Sequence, residues 1–124
     1  MKIFFSVCLG GAVGSFLRYV VSALLVRGSA HSFPLATFTV NIIGSFLIGL
    51  FFAMTQRYEW FSPQLRLFFI TGFCGGLTTF STFAYENLSL LQSGNITLFI
   101  AYSVGSFVLS MLAVLAGIYV LKFF

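Results

Sequence analysis

Apolar residues run along this chain in four long stretches, 3–26, 33–55, 63–91 and 96–123, with connections at 27–32, 56–62 and 92–95. A helix needs about 20 mostly apolar residues to cross the hydrocarbon core of a bilayer, and each stretch is long enough. Pro34 suits the first turn of the second helix, where its missing N–H costs nothing. Connections this short favour antiparallel neighbours. The pattern predicts an all-α membrane protein, residues 1–124 forming one transmembrane domain of four helices. Lys2 followed by an apolar run resembles a signal peptide, but the run continues to Val26 and further spans follow. It is read as a retained helix.

The third stretch departs from a plain span. Its middle reads Thr71-Gly72-Phe73-Cys74-Gly75-Gly76-Leu77-Thr78-Thr79-Phe80-Ser81-Thr82-Phe83. Glycines followed by hydroxyl residues at membrane depth predict a break near 75–79, with Gly75-Gly76 the weak point. Broken helices at that depth occur where the freed backbone is buried in protein or lines a cavity, and freed carbonyls and amides then serve as ion ligands. A continuous helix with a glycine-rich packing face is the alternative.

Polar residues recur at helical spacing on the other spans. Thr37, Asn41 and Ser45 share one face of the second helix, and Tyr102, Ser106 and Ser110 one face of the fourth. Phe80 and Phe83 lie three apart after the break, with Ser81 and Thr82 between them and Glu86 three residues further on. Lipid does not accommodate such rows, so they face protein or water. Interhelical glue is the plainer use of Ser, Thr and Asn. Ser45 is assigned to glue or close packing, and Asn41 to function, because an unpaired mid-membrane amide is costly. The Tyr102 row is open between the two. Gly10, Gly14, Gly44 and Gly49 read as close-packing residues.

Composition and charge narrow the chemistry. Hydrophobic residues make up 60% of the 124, charged residues only 6%, against about 25% in soluble domains, so lipid is the solvent. The net charge of +4 comes from scattered Lys and Arg, which apart from Arg18 flank spans and form no nucleic-acid footprint. Tyr58 and Trp60 beside Arg57 form an interfacial anchor. Cys8 and Cys74 stand alone in apolar runs as packing residues, and His31 lies in a polar connection. The chain has no Asp, and Glu59 sits in a connection, so neither a catalytic triad nor a carboxylate pair can form; no enzyme is expected. Arg18, inside the first span, either snorkels to an interface or gives a vestibule positive potential. Glu86 is either a helix-end residue in water or an intramembrane functional group. Hydroxyls, an amide, aromatic edges and one Arg suit an anion: a Phe ring has a positive edge, and conduction needs weak, multi-site binding.

These residues resemble a known family. Gly10-Gly11 with Gly14 and Arg18-Tyr19, then Asn41-Ile42-Ile43-Gly44, then the 72–83 run resemble the Fluc (CrcB) fluoride channels. The resemblance covers nearly the whole chain, and the third motif is highly specific. It implies an antiparallel, dual-topology homodimer with two fluoride pores in the bacterial inner (plasma) membrane. Function would be passive export of fluoride that entered the cell as HF in acid surroundings. Asn41, Phe80 and Phe83 match pore residues, and Ser81 and Thr82 a hydroxyl track. Tyr102, Ser106 and Ser110 match pore-side positions, and Glu86 a position near a pore end. Thr37 and Thr79 are placed with this pathway and Arg18 with its vestibule. Gly75 and Thr78 match break carbonyls that hold a structural sodium ion between subunits. Implied partners are fluoride, sodium, the bilayer and a second copy, with no organic cofactor and no nucleic acid.

Two rivals stand beside this reading. A proton-coupled small-solute exporter of the small multidrug type also has four helices, but keeps an acid in the first helix, where this chain has only Arg18. A non-transporting assembly subunit held by the glycine faces is the other. Charge counting puts Lys2, Arg57, Arg66 and Lys122 on one side and Arg27, with Arg18 if it snorkels, on the other. That is a mild positive-inside bias, where dual topology expects near balance. An isologous pair is independently reasonable, because thin helices, one of them broken, cannot enclose a pore alone.

Overall fold

The computed structural model describes residues 1–26 and 32–124. The 27–31 part of the first connection, with Arg27 and His31, lies outside the described residues. Within them α1 is Lys2–Leu25 and α2 is Leu35–Arg57. The first half of the third span, α3 (63–77), comprises an α-turn at Pro63–Arg66, a π-helical stretch at Leu67–Cys74 and a last turn at Gly75–Leu77. Its second half is α4 (Phe80–Gln92), and α5 is Ile96–Val120. All four spans are long and apolar enough to cross a membrane.

Three local expectations change. Pro34 caps α2 from outside rather than joining its first turn. The α-helical part of the last span stops at Val120, and the chain leaves it in a turn at 121–122. The weak point of the third span is not Gly75-Gly76. Gly75 has helical angles (φ −63°, ψ −36°), and the chain turns extended only at Thr78 (φ −83°, ψ 157°) and Thr79 (φ −151°, ψ 122°). Gly76 keeps helical geometry because it packs there: a Cβ on it would lie 3.0 Å from the Ser15 amide of α1.

Backbone-to-backbone packing organises the bundle. A Cβ on Gly10 or Gly14 of α1 would overlap the carbonyl oxygens of Phe68 or Phe73, and one on Gly72 would lie 2.7 Å from the Val7 oxygen. Glycine therefore lets α1 and α3 run in contact as parallel neighbours. Gln64 donates to Ser6 at 3.0 Å where these two helices begin. The parallel pair α2 and α5 uses Gly49 against Val114 and Gly117 against Phe46, and Arg57 bonds the Leu121 carbonyl at their shared end. Lys2, Arg57, Arg66 and Lys122 consequently lie at one end of the bundle. Arg57 packs over Tyr58 at 5.7 Å, beside Trp60.

The interior is small: among the described residues Ala36, Val40, Phe61, Cys74, Leu77, Leu90 and Tyr102 are its buried apolar members. Large side chains such as Phe4, Phe16 and Phe107 are about two-thirds exposed. An apolar exterior around a thin core is the inverse of a water-soluble fold, and it is what hydrocarbon solvates.

Candidate functional site

The break brings polar groups from three elements together at mid-span. Asn41, half-buried on α2, accepts from the Thr79 N–H at 2.9 Å through Oδ1 and donates to the Thr79 carbonyl at 3.2 Å through Nδ2. Thr79 in turn caps α4: its hydroxyl accepts from the Thr82 N–H at 3.3 Å. Thr78 closes α3, its N–H and hydroxyl both donating to the Cys74 carbonyl at 3.0 and 2.8 Å. Arg18 of α1 reaches the Thr78 carbonyl from the other side, Nη1 to oxygen 3.4 Å.

An open groove of about 410 Å³ runs from this point between α2, α4 and α5. Asn41, Thr78, Thr79, Phe80, Phe83, Ser106 and Ser110 line it, with Ile48, Met111 and Val114 as its apolar wall. The Phe80 and Phe83 rings lie 5.8 Å apart and tilted by 39°. Phe83 also packs on Tyr102 at 5.0 Å. Phe80, by contrast, is 80% exposed, so the groove is open on the side it faces. Ser106 is buried, and among the described residues its hydroxyl is the one buried side-chain polar atom without a hydrogen-bond partner.

A second pocket of about 340 Å³ lies across Thr79, between α1, α2 and α4. Arg18 is in its wall with the hydroxyl residues Ser15, Ser22, Thr37 and Thr82. The Arg18 guanidinium thus lies between the Thr78 carbonyl and this polar pocket.

Glu86 is not at a helix end. It sits inside α4, half-buried, and accepts from the Thr37 hydroxyl at 2.6 Å and the Tyr102 hydroxyl at 2.8 Å. This divides the polar rows: Thr37 and Tyr102 turn to Glu86, while Asn41, Ser106 and Ser110 turn to the groove. Ser81 joins neither cavity lining; it is exposed beside Thr79, hydroxyl to hydroxyl 3.4 Å. Ser45 lines the groove but donates to the Asn41 carbonyl of its own helix at 2.7 Å, so it is not glue between helices. Gly75 is exposed on the outer side of α3.

Sequence reasoning missed Asn87 and Ser103. Asn87 is buried, accepts from the Ser103 hydroxyl at 2.7 Å and donates to the Phe83 carbonyl of its own helix at 3.0 Å, tying α4 to α5. Its spacing of four from Phe83 was the available signal.

The family model for "CrcB-like protein, Camphor Resistance (CrcB)" matches residues 5–118. A protein of Azobacteroides pseudotrichonymphae is 43% identical over 124 residues, covering 100% of this chain and 99% of the relative. One of Aquifex aeolicus is 44% identical, covering 94% of each chain, and one of Bacteroides fragilis 45% identical, covering 96% of this chain and 95% of its own. Each of the three carries the name "Fluoride-specific ion channel FluC".

Proposed function

This chain belongs to the CrcB-like family, and from that premise we propose that it is a fluoride-selective channel, not an enzyme, that lets fluoride leave the cell passively across the inner membrane. The observation that carries the proposal is the Ser106 hydroxyl. It is buried, unpartnered, and on the wall of the groove that also holds Asn41, Phe80 and Phe83. A buried hydroxyl left unsatisfied costs about 1–3 kcal/mol, and a passing anion supplies the missing acceptor. Phe80 and Phe83 offer ring edges, which are electropositive. Among the described residues no carboxylate lines the groove, and both Glu86 oxygens accept hydroxyl bonds away from it. Such donors replace lost water without holding the ion too tightly, which is what conduction requires.

The working unit in this reading is an antiparallel, dual-topology homodimer with two pores. Two features of the single chain support a pair. Phe80 projects from the groove at mid-membrane, 80% exposed. Gly75 is a helical glycine whose Cβ would meet nothing within 4 Å, so no close contact among the described residues calls for it. A two-fold axis in the membrane plane would carry break onto break, because 78–79 lies midway along the 63–92 span. At that meeting point we assign the Gly75 and Thr78 carbonyls to a structural sodium ion. They are hard oxygen donors at an unwound turn. The Arg18 guanidinium beside the Thr78 oxygen opposes a cation there, which leaves Gly75 as the better ligand. Arg18 itself holds positive potential in the adjoining pocket and concentrates anions.

The test is release from liposomes containing the purified protein, fluoride against chloride. Fast fluoride release with little chloride release is expected, largely stopped by Phe80→Ile or Asn41→Asp. Unchanged release from both variants would remove the groove from the pathway. No release of either anion would favour a non-transporting subunit.

A further inference from the structure

In an unbroken α-helix the Thr79 N–H would bond the Gly75 carbonyl, four residues back. Here that N–H goes to Asn41 Oδ1 at 2.9 Å, and Asn41 Nδ2 bonds back to the Thr79 carbonyl at 3.2 Å. One amide on α2 thus takes both backbone groups of a single residue. The ladder is intact one step earlier, where the Thr78 N–H still reaches the Cys74 carbonyl at 3.0 Å. It fails at the first N–H that Asn41 captures. Glycine flexibility is not the cause, since Gly75 and Gly76 are both helical.

We infer that Asn41 is a positioning residue for cation binding: by holding the Thr79 N–H, its side-chain oxygen keeps the Gly75 carbonyl free to ligate a hard monovalent cation at the break. This rests on the sodium part of the proposal above and is independent of the fluoride part. The geometry on the cation's side is consistent. A carbonyl oxygen has two lone pairs, and among the described residues no donor outside α3 takes those of Gly75. Gly75 is exposed with open space beside it, so oxygens of a second copy can approach. Without the Asn41 oxygen, the Thr79 N–H can return to Gly75 as the 78–79 turn rewinds, and the ligand is lost. The same side chain that lines the anion groove would then also set the cation site behind it.

Substitutions at Asn41 separate this role from direct contact with the anion. Aspartate keeps an oxygen acceptor for the Thr79 N–H, but it loses the donor to the Thr79 carbonyl and puts a negative charge in the groove. Alanine and leucine remove the acceptor. The readout is thermal unfolding of the purified full-length protein in detergent as sodium replaces N-methyl-D-glucamine at constant ionic strength, with fluoride release measured in parallel. Wild type and Asn41→Asp should gain stability over the same sodium range. Asn41→Ala and Asn41→Leu should need about 10- to 100-fold more sodium, the usual effect of losing a group that orients a metal ligand. Fluoride release should fall in all three variants. An unchanged sodium response in the alanine and leucine variants would overturn the inference and leave Asn41 as an anion contact only. Should those two fail to fold, Asn41→Asp decides alone: loss of its sodium response overturns the inference. A wild type indifferent to sodium overturns it together with the sodium assignment, while the fluoride reading stands or falls on the release assay.

Discussion

The Thr37 hydroxyl on α2 donates to the Glu86 carboxylate on α4 at 2.6 Å, and the Tyr102 hydroxyl of α5 occupies the other carboxylate oxygen at 2.8 Å. Three helices thereby meet on one acid. A proton-coupled exporter needs an intramembrane carboxylate that cycles between protonated and bare forms. An acid with both oxygens engaged serves better as a fixed brace beside the groove. Glu86→Gln keeps an oxygen acceptor for one hydroxyl, and the other hydroxyl can rotate to accept from the new amide. We expect this variant to fold and to release fluoride more slowly, with no dependence on a pH gradient. Release from liposomes with and without an imposed gradient measures this. Complete loss in Glu86→Gln, together with gradient-driven release in wild type, would restore the exporter reading.

Ser106→Ala should separate stability from function. The hydroxyl is buried without a partner, so its removal abolishes a desolvation penalty of about 1–3 kcal/mol. The variant should unfold at the same temperature as wild type or higher. Fluoride release should nevertheless fall, because a groove donor is gone. Thermal unfolding and liposome release on one preparation check both halves. A less stable variant with unaltered release would mean that the hydroxyl has a structural partner and the ion passes elsewhere.

The parts of this fold legible in the sequence are those that lipid dictates. Four apolar runs read as spans, and Gly10, Gly14 and Gly49 as close contacts, because small residues let membrane helices approach one another. The place of the break was legible only to within a few residues. Glycine pairs suggest weakness, but here Gly76 is needed for packing on α1, and the ladder gives way where Asn41, distant in sequence, reaches the chain. The π-helical widening of 67–74 leaves no mark in hydrophobic periodicity. The rows were legible as rows. Their division between Glu86 and the groove was not, because it depends on how α2, α4 and α5 rotate against one another.

The α1–α3 contact predicts opposite outcomes at neighbouring glycines. A Cβ on Gly14 would overlap the Phe73 carbonyl and lie 2.8 Å from the Leu77 amide, both backbone atoms that cannot swing away. A Cβ on Gly11 would sit 3.9 Å from the Gly72 oxygen, ordinary contact distance. Overpacking of this kind costs about 1–3 kcal/mol or more. Gly14→Ala should therefore lower the unfolding temperature and the yield of monodisperse protein, whereas Gly11→Ala should match wild type. Equal behaviour of the two would show that α1 and α3 are not in backbone contact.

Gly75→Ala tests the proposed pairing of two copies without touching the chain's own packing. The position is helical, exposed and has nothing within 4 Å of an added Cβ. Alanine is favoured over glycine in a helix by about 1 kcal/mol, so a lone chain would gain from the change. A protein that keeps glycine there forgoes that gain. The simplest physical reason is close approach by another molecule, and in the proposed dimer that molecule is the second copy's break. The variant should keep its helical content by circular dichroism yet run as a monomer, or as a weakened dimer, in size-exclusion chromatography with light scattering. Fluoride release should drop with the loss of dimer, because Phe80 then faces lipid rather than a completed pore. If the Gly75→Ala protein stays dimeric and conducts normally, the two copies meet on some other face of the bundle, and the sodium assignment at Gly75 loses its place as well.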